Sequence, residues 1–136
     1  MEKMRKIKVW LIFMTMVISF FGLTGCENKP EVTASYEQIS PAEAKEIMDT
    51  QKDYILIDAR TQSEFAEGHI KGAILIPEYE IANRAEQELP EKSALILVYC
   101  RSGRRSKIAS EELAKLGYTN VKEFGGIIDW PYEVEK

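Results

Sequence analysis

Hydrophobic and polar positions alternate along the chain in two kinds of segment. Some are short, continuous apolar runs, which are typical of strands buried on both faces of a sheet. Others place apolar residues three or four positions apart, which is the spacing of a helix with one buried face. The pattern predicts strands at residues 54–58, 73–76, 94–99 and 121–124, and helices at residues 41–50, 61–68, 80–89 and 106–116.

The ends of these segments carry matching local signals. Ser40 and Thr61 are each followed three residues later by a glutamate, which is the pattern of a capping box at a helix start. Pro77 and Pro90 interrupt the pattern, and Gly117 closes the last helix. Strands that alternate with helices predict an α/β fold with a parallel sheet covered on both faces. Ligands bind such sheets at the carboxyl ends of the strands, which draws attention to the residues after Tyr99.

The first 25 residues have the layout of a secretory signal, with four basic residues followed by an apolar run at residues 9–23. This run is shorter than the ~20 residues of a membrane-spanning helix, although an uncleaved anchor is the alternative. The sequence ending Gly25-Cys26 resembles the lipobox of bacterial lipoproteins, which implies lipid on Cys26. We therefore predict a signal peptide at residues 1–25, a lipidated tether at residues 26–35 and a folded domain at residues 36–136. The expected location is the bacterial cell envelope, on the extracytoplasmic face of the membrane.

Composition and charge exclude several classes of function. The chain has 136 residues, two cysteines and one histidine, too few for a disulfide scaffold, a four-cysteine zinc site or a histidine-based metal centre. We expect neither a metal nor a cofactor. The net charge is -4, and removal of residues 1–25 takes away four bases and one acid to leave -7. An acidic domain of this kind is not expected to bind nucleic acid.

A cluster of chemically active residues follows the strongest predicted strand. Residues 100–106 read Cys-Arg-Ser-Gly-Arg-Arg-Ser and lead into a helix. At such a position, backbone N–H groups and the helix dipole stabilise a thiolate, and Gly103 lets the loop turn its amides inward. Residues 100–107 contain four bases and no acid, which favours a small anionic ligand. Ser106 is expected to cap the helix. The alternative is a buried structural cysteine followed by a solvated basic turn.

These residues, with others in the same order along the chain, resemble the single-domain rhodaneses, a family of sulfurtransferases. The resemblance covers residues 36–130, and its motifs are Asp58-Ala59-Arg60, Gly68 to Ala73, the Cys100 loop and Gly125-Gly126 with Trp130. It implies a rhodanese-like fold with about five parallel strands and helices on both faces. It also implies that His69, the single histidine, lies in a structural turn.

The resemblance further implies double displacement through a persulfide on Cys100. The donor is thiosulfate or another small anionic sulfur donor, and the acceptor is cyanide or a thiol. Cys100 is the predicted catalytic residue. The residues predicted to bind the substrate are Arg101, Ser102, Gly103, Arg104, Arg105, Ser106, Asp58 and Arg60.

Two alternative functions remain open at this point. A persulfide carrier or sulfide-binding module without turnover would need the same cysteine and loop, and the lipid would suit a membrane-bound protein partner. A cysteine phosphatase or arsenate reductase would need arginine six positions after the cysteine. That position is Ser106, and Arg105 comes one residue too early, so the phosphatase is less favoured.

Overall fold

The computed structural model describes residues 35–136, which lie within the unit Thr33–Lys136. The predicted signal peptide and lipidated Cys26 lie outside the described residues. Seven strands are present in this part of the chain: β1 Glu37–Gln38, β2 Tyr54–Asp58, β3 His69–Ile70, β4 Ile74–Leu75, β5 Leu95–Cys100, β6 Val121–Gly126 and β7 Val134–Glu135. The α-helices there are α1 Pro41–Thr50, α2 Gln62–Glu67, α3 Ile81–Glu88 and α4 Arg104–Lys115. Short 3-10 helices occur at Glu78–Glu80 and Ile127–Asp129.

Five of the strands form one parallel sheet in the order β1-β6-β5-β2-β4. All six residues of β5 are buried at the centre of this sheet. The remaining two strands, β3 and β7, pair antiparallel in a separate small sheet. The α/β fold and the five parallel strands are therefore confirmed.

Alternate residues of β5 face two different cores, as the two-residue period of a strand requires. Ile96, Val98 and Cys100 lie in the core that includes side chains of α3 and α4. Leu97 and Tyr99 lie in the core that includes α1 and Trp130. Helices thus cover both faces of the sheet, and Cys100 belongs to the face covered by α4.

Most predicted elements are confirmed, with small differences at their ends. Both capping boxes form, since Ser40 and Thr61 each accept from the backbone of the glutamate three residues on. The last helix begins at Arg104, earlier than predicted, and Gly103 occupies its N-cap with φ of 100°. The predicted capping role of Ser106 is therefore wrong, because the serine lies inside the first helical turn and its hydroxyl donates to the Gly103 carbonyl oxygen. None of the helices within residues 35–136 has the length and apolarity of a membrane span.

Candidate active site

Cys100 is the last residue of β5 and lies beneath the loop that leads into α4. Its residue surface is 1% exposed. The backbone N–H of Gly103 donates to its Sγ at 3.0 Å. This contact closes residues 100–103 into a tight turn around the sulfur. The sequence predicts that a strand end, a thiol, a glycine turn and a helix start lie together. The structure places them together.

The loop favours the ionised form of the thiol. Burial raises the pKa of Cys100, but hydrogen bonds from the Ser106 side chain and backbone and from the amides of Gly103 and Ser102 lower it. The hydrogen bonds prevail, and the pKa of Cys100 lies below its ordinary value. Since the thiolate is the nucleophilic form of cysteine, the loop prepares the sulfur to attack.

The glycine pair at the end of β6 allows the loop to pack closely on the sheet. A Cβ atom on Gly126 would lie 2.0 Å from the carbonyl oxygen of Arg101 and 2.5 Å from the Cα of Ser102. Only a glycine leaves room for the loop backbone at this distance. The Ile128 N–H also donates to the Arg101 carbonyl oxygen at 3.3 Å. Gly126 thus determines how closely the loop packs against the strand ends.

Arg105, one of the predicted anion-binding residues, is held by α2. Its Nη1 and Nη2 donate to the two carboxylate oxygens of Glu64 at 2.7 and 2.8 Å. Hydrogen bonding from Arg105 lowers the pKa of Glu64 to about 2 against the effect of burial, with Thr61 adding to the shift. The pair fixes the start of α4 against α2. The sequence marked Glu64 as part of a capping box and of the family motif, but its pairing with Arg105 was not predicted.

The other predicted residues of the loop form one exposed group and one buried group. Arg101, Ser102 and Arg104 are exposed, whereas Gly103 and Ser106 are buried. The arginine side chains at positions 101 and 104 are thus available to an anion arriving from solvent, and the two buried residues line the inside of the turn. Their contact with substrate remains a prediction.

Asp58 and Arg60 form a buried pair at the end of β2. The Asp58 carboxylate accepts from the backbone and guanidinium of Arg60 at 2.7–3.1 Å and from the Tyr99 hydroxyl at 2.7 Å. The Tyr99 hydroxyl accepts from the N–H of Ile70 at 3.0 Å. Asp58 is in register with Tyr99, whose side chain lies on the sheet face opposite Cys100. The pair therefore stabilises the end of β2. Its contact with substrate remains a prediction.

His69 lies in β3 and has local partners. Its Nδ1 is 3.0 Å from the Phe65 carbonyl oxygen, and its ring stacks on the Phe65 ring with centroids 3.8 Å apart. Its Nε2 is 3.6 Å from Glu135 of β7. These contacts join the end of α2 to the small sheet, so His69 has structural partners as expected, but it lies in a short strand and not in a turn.

A groove of about 1000 Å³ lies on the α1 side of the sheet. Its lining includes Met48, Tyr54, Ile70 and Trp130, which belong to or pack against the core on that side. None of the predicted site residues lines this groove. The Cys100 loop, where a thiol and converging backbone amides meet, lies outside this groove and remains the predicted active site.

Glu123 was missed by the sequence analysis. It lies in β6 directly beside the loop and is 2% exposed. Its Oε1 accepts from the Ser106 hydroxyl at 2.6 Å and from the Gly125 N–H at 2.8 Å. A glutamate that follows a lysine in a short strand is usually solvated, so no local signal marks this one as buried.

A cysteine in an amide-lined loop at a strand end of a parallel α/β domain is compatible with chemistry at sulfur or at phosphorus. Comparison with known families decides between these classes. The Rhodanese-like domain family matches residues 40–131, which is more than half of the chain. The protein belongs to this family.

Two curated relatives are named for sulfur transfer. The chain is 40% identical over 73 residues to thiosulfate sulfurtransferase PspE of Escherichia coli, covering 54% of this chain and 70% of PspE. It is 40% identical over 88 residues to a sulfurtransferase of Allochromatium vinosum, covering 64% and 79% of the two chains. These matches support membership of a sulfurtransferase family.

A solved structure supports the same fold. A rhodanese with anions from E. coli superposes with a TM-score of 0.58 at 36% sequence identity. The match covers 61% of this chain and 98% of that rhodanese. The rhodanese-like fold inferred from the sequence is therefore confirmed.

Proposed function

We propose that the protein moves a sulfane sulfur from thiosulfate or a persulfide donor to cyanide or a thiol through a persulfide on Cys100. The observation that carries this proposal is the 3.0 Å hydrogen bond from the Gly103 N–H to Sγ, within a loop that lowers the pKa of Cys100. A thiolate that amides stabilise is a nucleophile, and the same amides can stabilise the terminal sulfur of a persulfide.

The first half-reaction breaks the S–S bond of thiosulfate. The Cys100 thiolate attacks the outer sulfur, a new S–S bond forms on the protein, and sulfite leaves with the bonding electron pair. In the second half-reaction, the acceptor attacks the outer sulfur of the persulfide and regenerates the thiolate. No oxidant or reductant is needed, since both steps are displacements at sulfur.

Charge near the loop supports an anionic donor. Arg101 and Arg104 are exposed beside the buried sulfur, in a chain whose net charge is -4. Arg105 is engaged by Glu64, so it contributes positive charge near Cys100 while serving as a brace. Arg101 and Arg104 are accordingly the proposed first contacts of the donor.

The proposed location is the extracytoplasmic face of a bacterial membrane, through lipid on Cys26. The argument is the basic and apolar pattern of residues 1–25 followed by the lipobox-like sequence. Metabolic labelling with a clickable fatty acid tests it. Label on the wild-type chain and none on Cys26→Ser supports lipidation, while equal label on both chains contradicts it.

Intact-mass spectrometry after thiosulfate treatment tests the sulfur chemistry. Wild type should gain one sulfur atom and Cys100→Ser none. The chain has two cysteines, so Cys26→Ser is the matched control and should gain the sulfur as wild type does. Absence of added sulfur on wild type would refute the proposal. A persulfide that forms but is not discharged by cyanide or thiols would favour the carrier function.

A further inference from the structure

A β-bulge in β6 lies beside the active-site loop. Val98 of β5 is paired with Glu123. Two positions later Cys100 is paired with Gly126, which is three positions after Glu123, so β6 contains one extra residue here. Such a bulge redirects a strand and leaves backbone groups outside the ladder. Gly125, within the bulge, has φ of 92°, in the left-handed region that favours glycine.

The bulge packs against the loop residue that binds the sulfur. A Cβ on Gly103 would lie 3.6 Å from the Cα of Gly125. The next residue, Gly126, is the one on which the Arg101 carbonyl group rests. The N–H of Gly103 in turn donates to Cys100 Sγ at 3.0 Å. The distance between this N–H and the sulfur therefore depends on the conformation of the bulge.

The Glu123 side chain holds both the bulge and the start of α4. Its Oε1 accepts from the Gly125 N–H at 2.8 Å and from the hydroxyl of Ser106, in the first turn of α4, at 2.6 Å. The Ser106 Oγ is also 3.0 Å from the Gly103 carbonyl oxygen. Ser106 is fully buried and Glu123 is 2% exposed, so water does not compete for these contacts. A single carboxylate oxygen thus connects the two chain segments that enclose Gly103.

We propose that Glu123 is a positioning residue that holds the Gly103 amide at the sulfur of Cys100. Its contact with Gly125 fixes the bulge against which Gly103 packs, and its contact with Ser106 fixes the helical turn that follows Gly103. Both contacts need an acceptor oxygen at one place, and neither needs the negative charge. The proposal rests on the proposed function, because the amide it positions stabilises the thiolate of the first half-reaction.

Two conservative substitutions separate the acceptor oxygen from the charge. Glu123→Gln keeps an oxygen at the same reach and removes the charge. Glu123→Asp keeps the charge, but it is shorter by one methylene and cannot reach both donors. The rate of Cys100 alkylation by iodoacetamide is measured against pH in full-length Cys26→Ser protein without any sulfur donor. We expect the midpoint of Glu123→Asp to rise by about one pH unit, as for loss of one hydrogen bond to the thiolate. The midpoint of Glu123→Gln should stay at or below that of the Cys26→Ser parent.

Tyr118→Phe is the control for a general loss of stability. The Tyr118 hydroxyl donates to the carbonyl oxygens of Ala85 and Leu89 at 2.9 and 2.6 Å, beyond the C-terminal end of α4 and away from the loop. Its removal should lower stability to urea but leave the alkylation midpoint unchanged. A shift in Tyr118→Phe equal to that of Glu123→Asp would reduce Glu123 to a structural role. An unchanged midpoint in Glu123→Asp, or an equal rise in Glu123→Gln, would overturn the proposal.

Hydrogen exchange followed by NMR gives a second measurement that needs no substitution at Glu123. In the Cys26→Ser parent, the amide protons of Gly125 and Gly103 should exchange about 10²-fold or more slowly than in the urea-unfolded chain, because both are held in buried hydrogen bonds. Exchange of the Gly125 amide at the unfolded rate would overturn the proposal even if Glu123→Asp did not fold. Because neither measurement involves sulfur transfer, failure of the positioning role is distinguishable from failure of Cys100 to form a persulfide.

Discussion

Gly126→Ala tests whether the closeness of the loop to the sheet creates the reactive thiol. The backbone at Gly126 is extended, with φ of -122° and ψ of 154°, so alanine is not strained by its own dihedral angles. The difficulty is contact, because the new Cβ would lie 2.0 Å from the Arg101 oxygen, whereas ordinary contacts begin at 3.4 Å. The loop must retreat by the difference, about 1.4 Å. A shift of this size breaks the 3.0 Å hydrogen bond from the Gly103 N–H to Cys100.

The expected result is a loss of about 10²-fold in the rate of persulfide formation from thiosulfate, measured by intact mass against time. The midpoint of Cys100 alkylation should also rise, since the amides that favour the thiolate have moved. The stability cost should be about 1–3 kcal/mol, the usual range for overpacking, measured by urea unfolding.

A matched glycine separates loss of reactivity from loss of stability. Gly72 has φ of 80°, and no atom lies within 4 Å of the position that a Cβ would take. Gly72→Ala therefore strains the left-handed backbone but introduces no clash. That strain is about 1–2 kcal/mol, comparable with the cost expected at Gly126, yet Cys100 should keep its reactivity. If Gly126→Ala retained the wild-type rate and alkylation midpoint, close packing of the loop would not be the source of the lowered pKa of Cys100.

Three further outcomes follow from the contacts. Tyr99→Phe removes the donor to the buried Asp58 carboxylate and should cost about 1–3 kcal/mol in urea unfolding; a change in Cys100 alkylation would contradict the separation of the two sheet faces. The pKa of Glu64 is lowered from 4.5 to about 2, so its stabilising effect is full above pH 4.5 and is lost as the pH falls towards 2. Glu64→Gln should therefore lower the free energy of unfolding by about 1–2 kcal/mol at neutral pH, after allowance for solvent screening of the Arg105 pair. The loss should be smaller in acid. Equal losses at both pH values would count against the pair. Because the fold lowers the pKa of Cys100, its alkylation midpoint in folded protein should lie below that of the urea-unfolded chain, and coincident midpoints would contradict the stabilising role of the loop.

Local sequence signals predict the elements whose determinants lie within one helical turn or one strand. The capping boxes at Ser40 and Thr61 need only a glutamate three residues away, and both form as expected. The start of α4 was misplaced because serine is a common capping residue and Ser106 was favoured on that ground. In the structure, Gly103 is the N-cap and the helix begins at Arg104, so Ser106 lies inside the first turn.

The residues that support the active-site loop could not be predicted in the same way, since their roles depend on long-range register. Glu64 meets Arg105 across 41 positions of sequence, and Glu123 meets Ser106 across 17. Each pair is fixed only after β5 and β6 are aligned and α2 is placed against α4. A charged residue in isolation is most simply read as solvated, and only its burial shows otherwise.

The basic residues that form one cluster in the sequence have different roles in the structure. The cluster read from residues 100–107 suggested three equivalent arginines around the sulfur. In the structure, Arg105 is bound to Glu64, while Arg101 and Arg104 are exposed. The groups that lower the pKa of Cys100 are instead uncharged, namely backbone amides and the Ser106 hydroxyl. Because neutral donors stabilise the thiolate from within, the loop does not need an ion pair at the sulfur that an incoming anion would have to displace, and the exposed arginines remain free to attract that anion.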